Sequence, residues 1–290
     1  MQNKDVMRHV RLVLLLLALL IALIGYYYYL ESPVHVEVVQ FNSHLLGKGM
    51  PYSVVLPHGY RLITSRGTRY PVLYLLHGWR EHYNSWLKQT TLIQYASDYQ
   101  LIIITPEGGN GWYTDSASIT SDQYETYFLY ELISDVDSRY RTIQDRRGRA
   151  VAGNSMGGYG ALKFGLKHPE TFTLAASMSG ALDANLRNDD SSINEIFGEP
   201  NSPTRKANDL QRLAREFPRE RAPLLPYFYL DCGTDDPWLE SNRDFVNILL
   251  ERRVVHEYRQ LPGGHVWAYW DRQVHEVLRV AAERMVPPEH

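Results

Sequence analysis

The segment Gly153–Gly157 (GNSMG) constrains the fold of this 290-residue chain more than any other feature. It follows the apolar run Ala150–Ala152 and precedes Ser155–Lys167, whose apolar residues recur at helical spacing. A strand, a tight turn and a helix are therefore expected in that order. The two glycines suit a turn that holds Ser155 in strained backbone geometry, because side chains two residues either side of it would collide. We expect this turn to lift Ser155 above the edge of a sheet.

Short apolar runs alternate with longer amphipathic stretches from residue 32 onward, which is typical of a mostly parallel sheet with helical connections. The runs that begin at Val72, Leu101 and Ala150 are apolar on both faces, as buried parallel strands require. Strands are predicted at Val34–Val39, Tyr52–Leu56, Val72–Leu76, Leu101–Thr105, Ala150–Gly153, Leu174–Met178, Tyr227–Asp231 and Val254–Leu261. Helices are predicted near Asn84–Tyr95, Ser121–Tyr140, Ser155–Lys167, Pro237–Arg252 and Trp267–Met285. The pattern indicates an α/β fold with a mostly parallel central sheet.

The segment 183–223 differs in composition from the rest of the chain. It contains a polar run at residues 188–192 and a stretch from Arg215 to Arg221 that is dense in charge. It has too few apolar positions to build a core of its own. We therefore interpret it as a charged excursion over the site, within one domain that spans residues 32–290.

The N-terminus carries an apolar run from Leu12 to Ile24 with no polar residue in 13 positions. Continued through four tyrosines to Leu30 it reaches 19 residues, close to the roughly 20 that span a hydrocarbon core. Lys4, Arg8 and Arg11 precede it, so the positive-inside rule places the rest of the chain outside the cytoplasm. Residues 1–31 are therefore predicted to be a membrane anchor, with a cleaved signal peptide as the alternative. The domain would be anchored on the extracytoplasmic side, or secreted if the segment is cleaved.

Charge and cysteine content exclude several classes of partner. Thirty Lys and Arg against 33 Asp and Glu give a net charge of −3, too balanced for a surface that binds nucleic acid. The single cysteine, Cys232, can form no internal disulfide and cannot build a thiolate zinc site alone. No metal-binding loop or helix motif occurs, so neither a metal nor another cofactor is predicted. The sequence gives no prediction of oligomeric state.

A serine hydroxyl becomes an effective nucleophile only when a base takes its proton, and an acid must orient that base. His265 lies in the loop Pro262–Val266, after a strand-like run and before a helix, which makes it the best candidate for the base. Asp231, Asp235 and Asp236 are the candidate acids in another loop between strand and helix.

Pro237 favours Asp236 among these acids. The proline restricts the backbone of the residue before it and starts the next helix, which gives the Asp236 carboxylate a fixed direction. Asp231 ends an apolar run and is expected to cap the strand or to pair with a loop amide. Adjacent loop residues face different ways, so at most one of Asp235 and Asp236 should reach His265.

Two backbone N–H groups are needed to stabilise an oxyanion. Met156, directly after Ser155, supplies the first. The run Leu75–Leu76 ends in the turn His77–Gly78, which makes the Trp79 amide the expected second donor.

Five stretches together resemble the esterase D family of α/β-hydrolases, which includes S-formylglutathione hydrolases, feruloyl and acetyl-xylan esterases, and mycolyl-transferring proteins. They are Tyr70–Gly78, Gly111–Tyr113, Gly153–Leu162, Cys232–Asp236 and Pro262–His265. The resemblance implies an α/β-hydrolase fold in which Ser155, Asp236 and His265 form a catalytic triad with the Trp79 and Met156 amides. It also implies that Trp112, Tyr113 and His77 contact the substrate.

The same resemblance implies a serine carboxylesterase that needs no cofactor and hydrolyses an acyl ester or thioester on a small molecule or a glycan. An acyltransferase to a sugar or lipid hydroxyl shares the same residues and is the alternative. A binding module on an inactive hydrolase fold is a third reading, but it gives no reason to retain a strained nucleophile.

Overall fold

The computed structural model describes residues 2–31, 34–187 and 191–290. Within them, eight strands form one sheet in the order β1-β4-β6-β5-β7-β8-β9-β10, and β2 and β3 form a small hairpin. The strands are β1 (His35–Val39), β2 (Asn42–Ser43), β3 (Lys48–Gly49), β4 (Tyr52–Leu56), β5 (Val72–Leu76), β6 (Ile102–Pro106), β7 (Arg149–Asn154), β8 (Leu174–Met178), β9 (Tyr227–Gly233) and β10 (His256–Leu261).

The strand directions show which residues share an edge of the sheet. In the described chain β4 alone runs against the other seven strands of the large sheet, because it is antiparallel to both β1 and β6 while the pairs from β6 to β10 are parallel. The starts of those seven strands therefore lie at one edge, and their carboxyl ends lie at the other. This confirms the predicted mostly parallel sheet.

The described chain contains helices that cover both faces of the sheet and one N-terminal helix whose apolar segment is not buried against it. They are α1 (Gln2–Glu31), α2 (Ser85–Gln89), α3 (Leu92–Ala96), α4 (Tyr124–Thr126), α5 (Ile133–Arg139), α6 (Met156–Lys167), α7 (Ser191–Phe197), α8 (Pro203–Ala207), α9 (Leu210–Glu216), α10 (Leu239–Glu251) and α11 (Trp267–Arg284). Tyr74 and Leu76 of β5 pack on the face covered by α6 and α10, whereas Leu73 and Leu75 pack on the face covered by α3 and α11. The alternation follows from the two-residue period of a strand.

Two predicted helices are divided in the structure. The one predicted near Asn84–Tyr95 breaks into α2 and α3 because Thr90 is extended and Asp271 of α11 accepts hydrogen bonds from the backbone and side chain of Thr91. The one predicted over 121–140 begins at Tyr124 and contains a π-helical segment, Tyr127–Leu132, between α4 and α5. Its first amides, those of Glu125 and Thr126, donate to the Asp115 carboxylate.

The segment 183–223 contributes α7, α8 and α9 and two short 3₁₀ turns. Its apolar residues Ile193, Phe197, Leu210 and Ala214 are buried in the same cluster as α6 and α10. They pack on the core of the large sheet. The polar positions 188–190 lie outside the described residues, as do Ser32 and Pro33 at the predicted domain boundary.

Helix α1 contains the apolar N-terminal stretch. Its segment Met7–Tyr27 is 21 residues long, apolar enough to cross a membrane, and not buried against the rest of the chain. A signal sequence has the same properties. The segment is therefore a signal sequence or an anchor.

Candidate active site

Ser155 occupies a strained turn between β7 and α6. Its φ of 51° and ψ of −117° lie outside the regions that residues with side chains normally adopt. Glycine is required on both sides: a Cβ on Gly153 would lie 2.5 Å from the carbonyl carbon of Gly157, and one on Gly157 would lie 2.5 Å from the carbonyl oxygen of Leu76. Helix α6 begins at the next residue, Met156, so its positive end is directed at the serine.

A chain of hydrogen bonds joins Ser155, His265 and Asp236. The His265 Nε2 lies 2.9 Å from the Ser155 Oγ, and its Nδ1 lies 3.0 Å from the Asp236 Oδ2. With a carboxylate beside it, Nδ1 carries the proton and donates, which leaves Nε2 free to accept from the serine hydroxyl. The Asp236 side chain is fully buried, and its Oδ1 accepts from the Trp238 amide at 2.9 Å. This geometry permits proton transfer from Ser155 to His265.

The three candidate acids have different surroundings. Asp236 contacts His265, whereas Asp235 is exposed and uses its amide to donate to the Gly263 carbonyl. Asp231 lies within β9, and its complete burial raises the pKa of its carboxyl to about 8, although the Tyr269 and Tyr229 hydroxyls act in the opposite direction. Its sequence position suggested that it ends its strand or pairs with a loop amide, but the strand continues to Gly233, and no amide among the described residues donates to its carboxylate.

The loop after β5 and the start of α6 each place one amide beside the serine, that of Trp79 and that of Met156. The Gly78 amide donates to the Glu81 Oε2 at 2.7 Å, and the same oxygen accepts from the Asn154 side chain at 3.3 Å. Burial raises the pKa of the Glu81 carboxyl, and these two hydrogen bonds oppose the increase. The Trp79 and Met156 amides, by contrast, donate to no other group in the part of the chain that the structure describes. They are the amides predicted to bind an oxyanion.

Ser155 and His265 open into a cavity of about 400 Å³. Trp112 lines it, as the resemblance implies, and so does Trp79, which was predicted only for its amide. Seven further side chains line it without having been predicted: Glu81, Ala184, Arg187, Ser192, Ile193, Trp238 and Trp270.

For two of those seven residues, the position in the sequence is itself a signal. Trp238 lies two positions after Asp236 and Trp270 lies five after His265, so each follows a predicted catalytic residue closely. The Trp270 ring stands edge-on to the His265 ring, with 4.9 Å between centroids. The Arg187 guanidinium lies 4.0 Å from the centre of the Trp238 ring.

His77 and Tyr113 do not line this cavity, in contrast to the expectation that they contact substrate. His77 is 1 % exposed; its Nδ1 donates to the Gly78 carbonyl and its Nε2 accepts from the Gly108 amide. The Tyr113 hydroxyl donates to the His77 carbonyl, and its ring packs against Gly108 and Gly160. Hydrogen bonds of both residues hold the loop after β6 against the end of β5. Trp112, next to Tyr113 in sequence, lines the cavity instead.

Side chains that could bind a metal ion are dispersed. Residues 2–31, 34–187 and 191–290 contain no group of three or more His, Cys, Asp or Glu side chains placed to hold one. The site described above offers a serine, a histidine, a carboxylate and two backbone amides.

Comparison with known proteins identifies the class. The model of the Esterase family matches residues 43–280, so the chain belongs to this family of α/β-hydrolases, whose members are carboxylic ester hydrolases of the serine type. An acetyl esterase from Caldicellulosiruptor saccharolyticus is 31 % identical over 214 residues, which cover 70 % of this chain and 79 % of the relative.

A structural relative and a more distant sequence relative extend the comparison. The structure of a ferulic acid esterase superposes with a TM-score of 0.77 at 27 % identity, covering 87 % of this chain and all of the other. A Mycobacterium leprae protein named diacylglycerol acyltransferase/mycolyltransferase Ag85B is 28 % identical over 282 residues, which cover 82 % of this chain and 81 % of that protein. The fold is thus the α/β-hydrolase fold.

Proposed function

We propose that this chain is a serine carboxylesterase that hydrolyses an acyl ester or thioester through an acyl-enzyme on Ser155. The observation that carries the proposal is the hydrogen-bonded chain from the Ser155 hydroxyl through His265 to the buried Asp236 carboxylate. Membership in the Esterase family supports the same activity.

In the acylation step, Ser155 Oγ attacks the carbonyl carbon of the ester while His265 Nε2 takes the hydroxyl proton. The Asp236 carboxylate stabilises the resulting imidazolium. The Trp79 and Met156 amides donate to the oxygen that becomes negative, and the positive end of α6 favours the same charge. The tetrahedral intermediate then collapses: the bond to the leaving alcohol or thiol breaks, and that group takes the proton from Nε2.

Deacylation repeats the sequence with water. The oxygen of a water molecule attacks the acyl carbon while His265 Nε2 takes a proton from that water. The bond from the acyl carbon to the Ser155 Oγ then breaks, and Oγ takes the proton from Nε2. The carboxylic acid is released and the free enzyme is restored. Every proton is returned, so the cycle needs no cofactor.

The substrate we propose is a small-molecule or glycan-linked ester. The cavity of about 400 Å³ is large enough for a short acyl group or a single aromatic one, and four tryptophans line it. The names of the two relatives given above correspond to these two kinds of acyl group: acetyl is short, and the feruloyl group of ferulic acid is aromatic.

An acyltransferase is the alternative, and the relative named diacylglycerol acyltransferase/mycolyltransferase favours it. Transfer differs from hydrolysis only in the acceptor that attacks the acyl-enzyme. A burst of p-nitrophenol from p-nitrophenyl acetate, followed by turnover that accelerates when a sugar acceptor is added, indicates transfer. Turnover that is unaffected by the acceptor indicates hydrolysis.

We also propose that α1 remains attached as a membrane anchor, with the catalytic domain on the extracytoplasmic side. The support is the exposed apolar segment Met7–Tyr27 with cationic residues Arg8 and Arg11 at its N-terminal end. The apolar run from Leu12, continued through the tyrosines to Leu30, is 19 residues long, which exceeds the 7 to 15 residues of a typical signal-peptide core.

The proposed activity is tested by replacing Ser155 and His265 and measuring turnover of acetyl, butyryl, feruloyl and S-formylglutathione substrates. Ser155→Ala is expected to lower kcat by about 10⁴ to 10⁶ on whichever substrate is turned over. His265→Ala should cost about as much, and the double variant little more, because the two residues act as a unit. Losses that multiply in the double variant would show that His265 acts independently of Ser155.

A further inference from the structure

The start of the domain and the catalytic residues lie at opposite edges of the sheet. His35, the first residue of β1, pairs with Leu56, and β4 in turn aligns this end with Ile103 near the start of β6. We call this edge, where β5 to β10 also start, the strand-start edge. Ser155 follows the carboxyl end of β7, and Asp236 and His265 follow the carboxyl ends of β9 and β10. The catalytic cavity therefore opens at the edge opposite to the one where α1 joins the domain.

The connection between α1 and the domain is too short for α1 to enter a membrane on the catalytic side of the sheet. Four peptide links join Glu31 at the end of α1 to His35 at the start of β1, and they reach at most about 14 Å. The helical residues from Tyr27, where the apolar segment ends, to Glu31 add about 6 Å. The strands of five to seven residues alone span roughly 17 to 23 Å, and the excursion adds to that height. A membrane that holds α1 must therefore lie near the strand-start edge.

A second cavity, of about 650 Å³, lies at the strand-start edge far from the catalytic residues. Pro226 and Val255, which directly precede β9 and β10, line it. Its other apolar walls are Ala214, Phe217, Ala222, Pro223, Leu225 and Val254. Val255 is 69 % exposed, so the mouth of this cavity presents apolar surface to solvent.

The charge of this second cavity is predominantly positive. Three arginines line it, Arg219, Arg252 and Arg253, against one carboxylate, Glu251. Arg252 donates to the Phe217 carbonyl, and none of the three arginines forms an ion pair within the described chain. Guanidinium groups that have no carboxylate partner and lie beside exposed apolar surface match an anionic headgroup with its adjoining acyl region.

We propose that the strand-start edge is the membrane-facing surface of the domain and that its basic cavity seats the headgroups of anionic lipids. β1 and β10 are the two ends of the eight-stranded sheet, about 34 Å apart at the usual strand spacing. The connection to α1 holds one end of this edge at the membrane. The cavity beside the starts of β9 and β10 holds the other end there. The proposal rests on the membrane insertion of α1 proposed above.

This orientation defines the substrate class more closely. With both ends of the strand-start edge at the membrane, the catalytic cavity faces away from the bilayer. The ester must then arrive from the aqueous side, on a soluble molecule or on a glycan outside the membrane. Lipids of the same bilayer are out of reach.

The orientation can be measured on the full chain in lipid vesicles with fluorescent probes on single introduced cysteines. Val255→Cys marks the strand-start edge, and Ser118→Cys, in an exposed loop after β6, is the matched control at the catalytic edge. The native Cys232 is buried and remains unlabelled. Vesicles of phosphatidylcholine alone or with phosphatidylglycerol carry a spin-label quencher on the lipid headgroups.

We expect the probe at position 255 to be quenched several-fold more strongly than the probe at 118, and more strongly in the anionic vesicles. Arg219→Glu combined with Arg253→Glu should reduce that quenching to the level in neutral vesicles. Equal quenching at both positions, or quenching that ignores lipid charge, overturns the proposal, as does failure of the chain to float with the vesicles. Turnover of water-soluble p-nitrophenyl acetate by the same samples reports separately on the proposed esterase activity.

Discussion

Asp235 and Asp236 are neighbours in sequence, yet only the Asp236 carboxylate reaches His265 within the described chain. Asp236→Asn should lower kcat by about 10⁴, because an amide in that position favours the wrong tautomer of the histidine. Asp235→Asn, at an exposed position, is the matched control and should change kcat only slightly. Steady-state kinetics of both variants on a soluble ester give the ranking. The reverse ranking would assign the acid to Asp235.

Glu81 is expected to position the amides that bind the oxyanion. Its carboxylate holds the Gly78 amide and the Asn154 side chain, and so fixes the turn that presents the Trp79 amide. Glu81→Ala should lower kcat by about 10² to 10³ with a smaller change in KM, the effect of losing one oxyanion donor.

The conservative variant distinguishes positioning by Glu81 from general damage. Glu81→Gln retains an acceptor for the Gly78 amide and should restore most of the activity that Glu81→Ala loses. Thermal unfolding of both variants provides the control for stability. If the two variants lose activity equally while both remain folded, the role we assign to Glu81 is wrong.

At the scale of elements, the turn between β7 and α6 depends on close backbone approach. The Cβ of a Gly157→Ala variant would lie 2.5 Å from the Leu76 carbonyl oxygen and 2.8 Å from that of His77, and neither backbone atom is free to move. We expect a loss of about 1 to 3 kcal/mol in the free energy of unfolding. Activity should fall with it, because β5 and the loop that carries Trp79 must shift.

Gly67→Ala is the matched control for the turn. Gly67 is exposed, and an added Cβ there has no neighbour closer than 3.9 Å. The free energy of unfolding of the Gly67→Ala variant should stay within about 0.5 kcal/mol of the wild-type value. Chemical denaturation of the two variants measures the difference, and equal losses would contradict the close approach at Gly157.

Sequence reasoning recovered the elements that depend on local patterns. β4, β5 and β8 have the predicted bounds, because each is an apolar run with clear ends. The division of α2 from α3 was not predictable, because Asp271, which is 180 residues away in sequence, supplies the hydrogen bonds at the break.

The same distinction applies to the site. Motifs led to Ser155, Asp236 and His265. Arg187 and Ile193 belong to the excursion 183–223, whose single residues match no motif, and Glu81 lines the cavity because the loop after β5 reaches it. His77 shows the converse: its motif position suggested substrate contact, but its two ring nitrogens are both used within the protein.

We expect the whole molecule to be held in the membrane by α1. The full chain should pellet with membranes and resist carbonate extraction, because the 21-residue segment Met7–Tyr27 can span the hydrocarbon core. A chain that starts at Val34 should be soluble and equally active on a soluble ester. N-terminal sequencing that finds the mature protein starting beyond residue 22 would identify the segment as a signal peptide.

The central claim is that Ser155 becomes covalently acylated. The most direct measurement is mass spectrometry of the full chain after treatment with a fluorophosphonate, with the modified residue located by peptide mapping. We expect one adduct in the wild-type protein, on Ser155. It should be absent from Ser155→Ala and should form far more slowly in His265→Ala. No adduct on the wild-type protein, or an adduct that persists in Ser155→Ala, would contradict the claim.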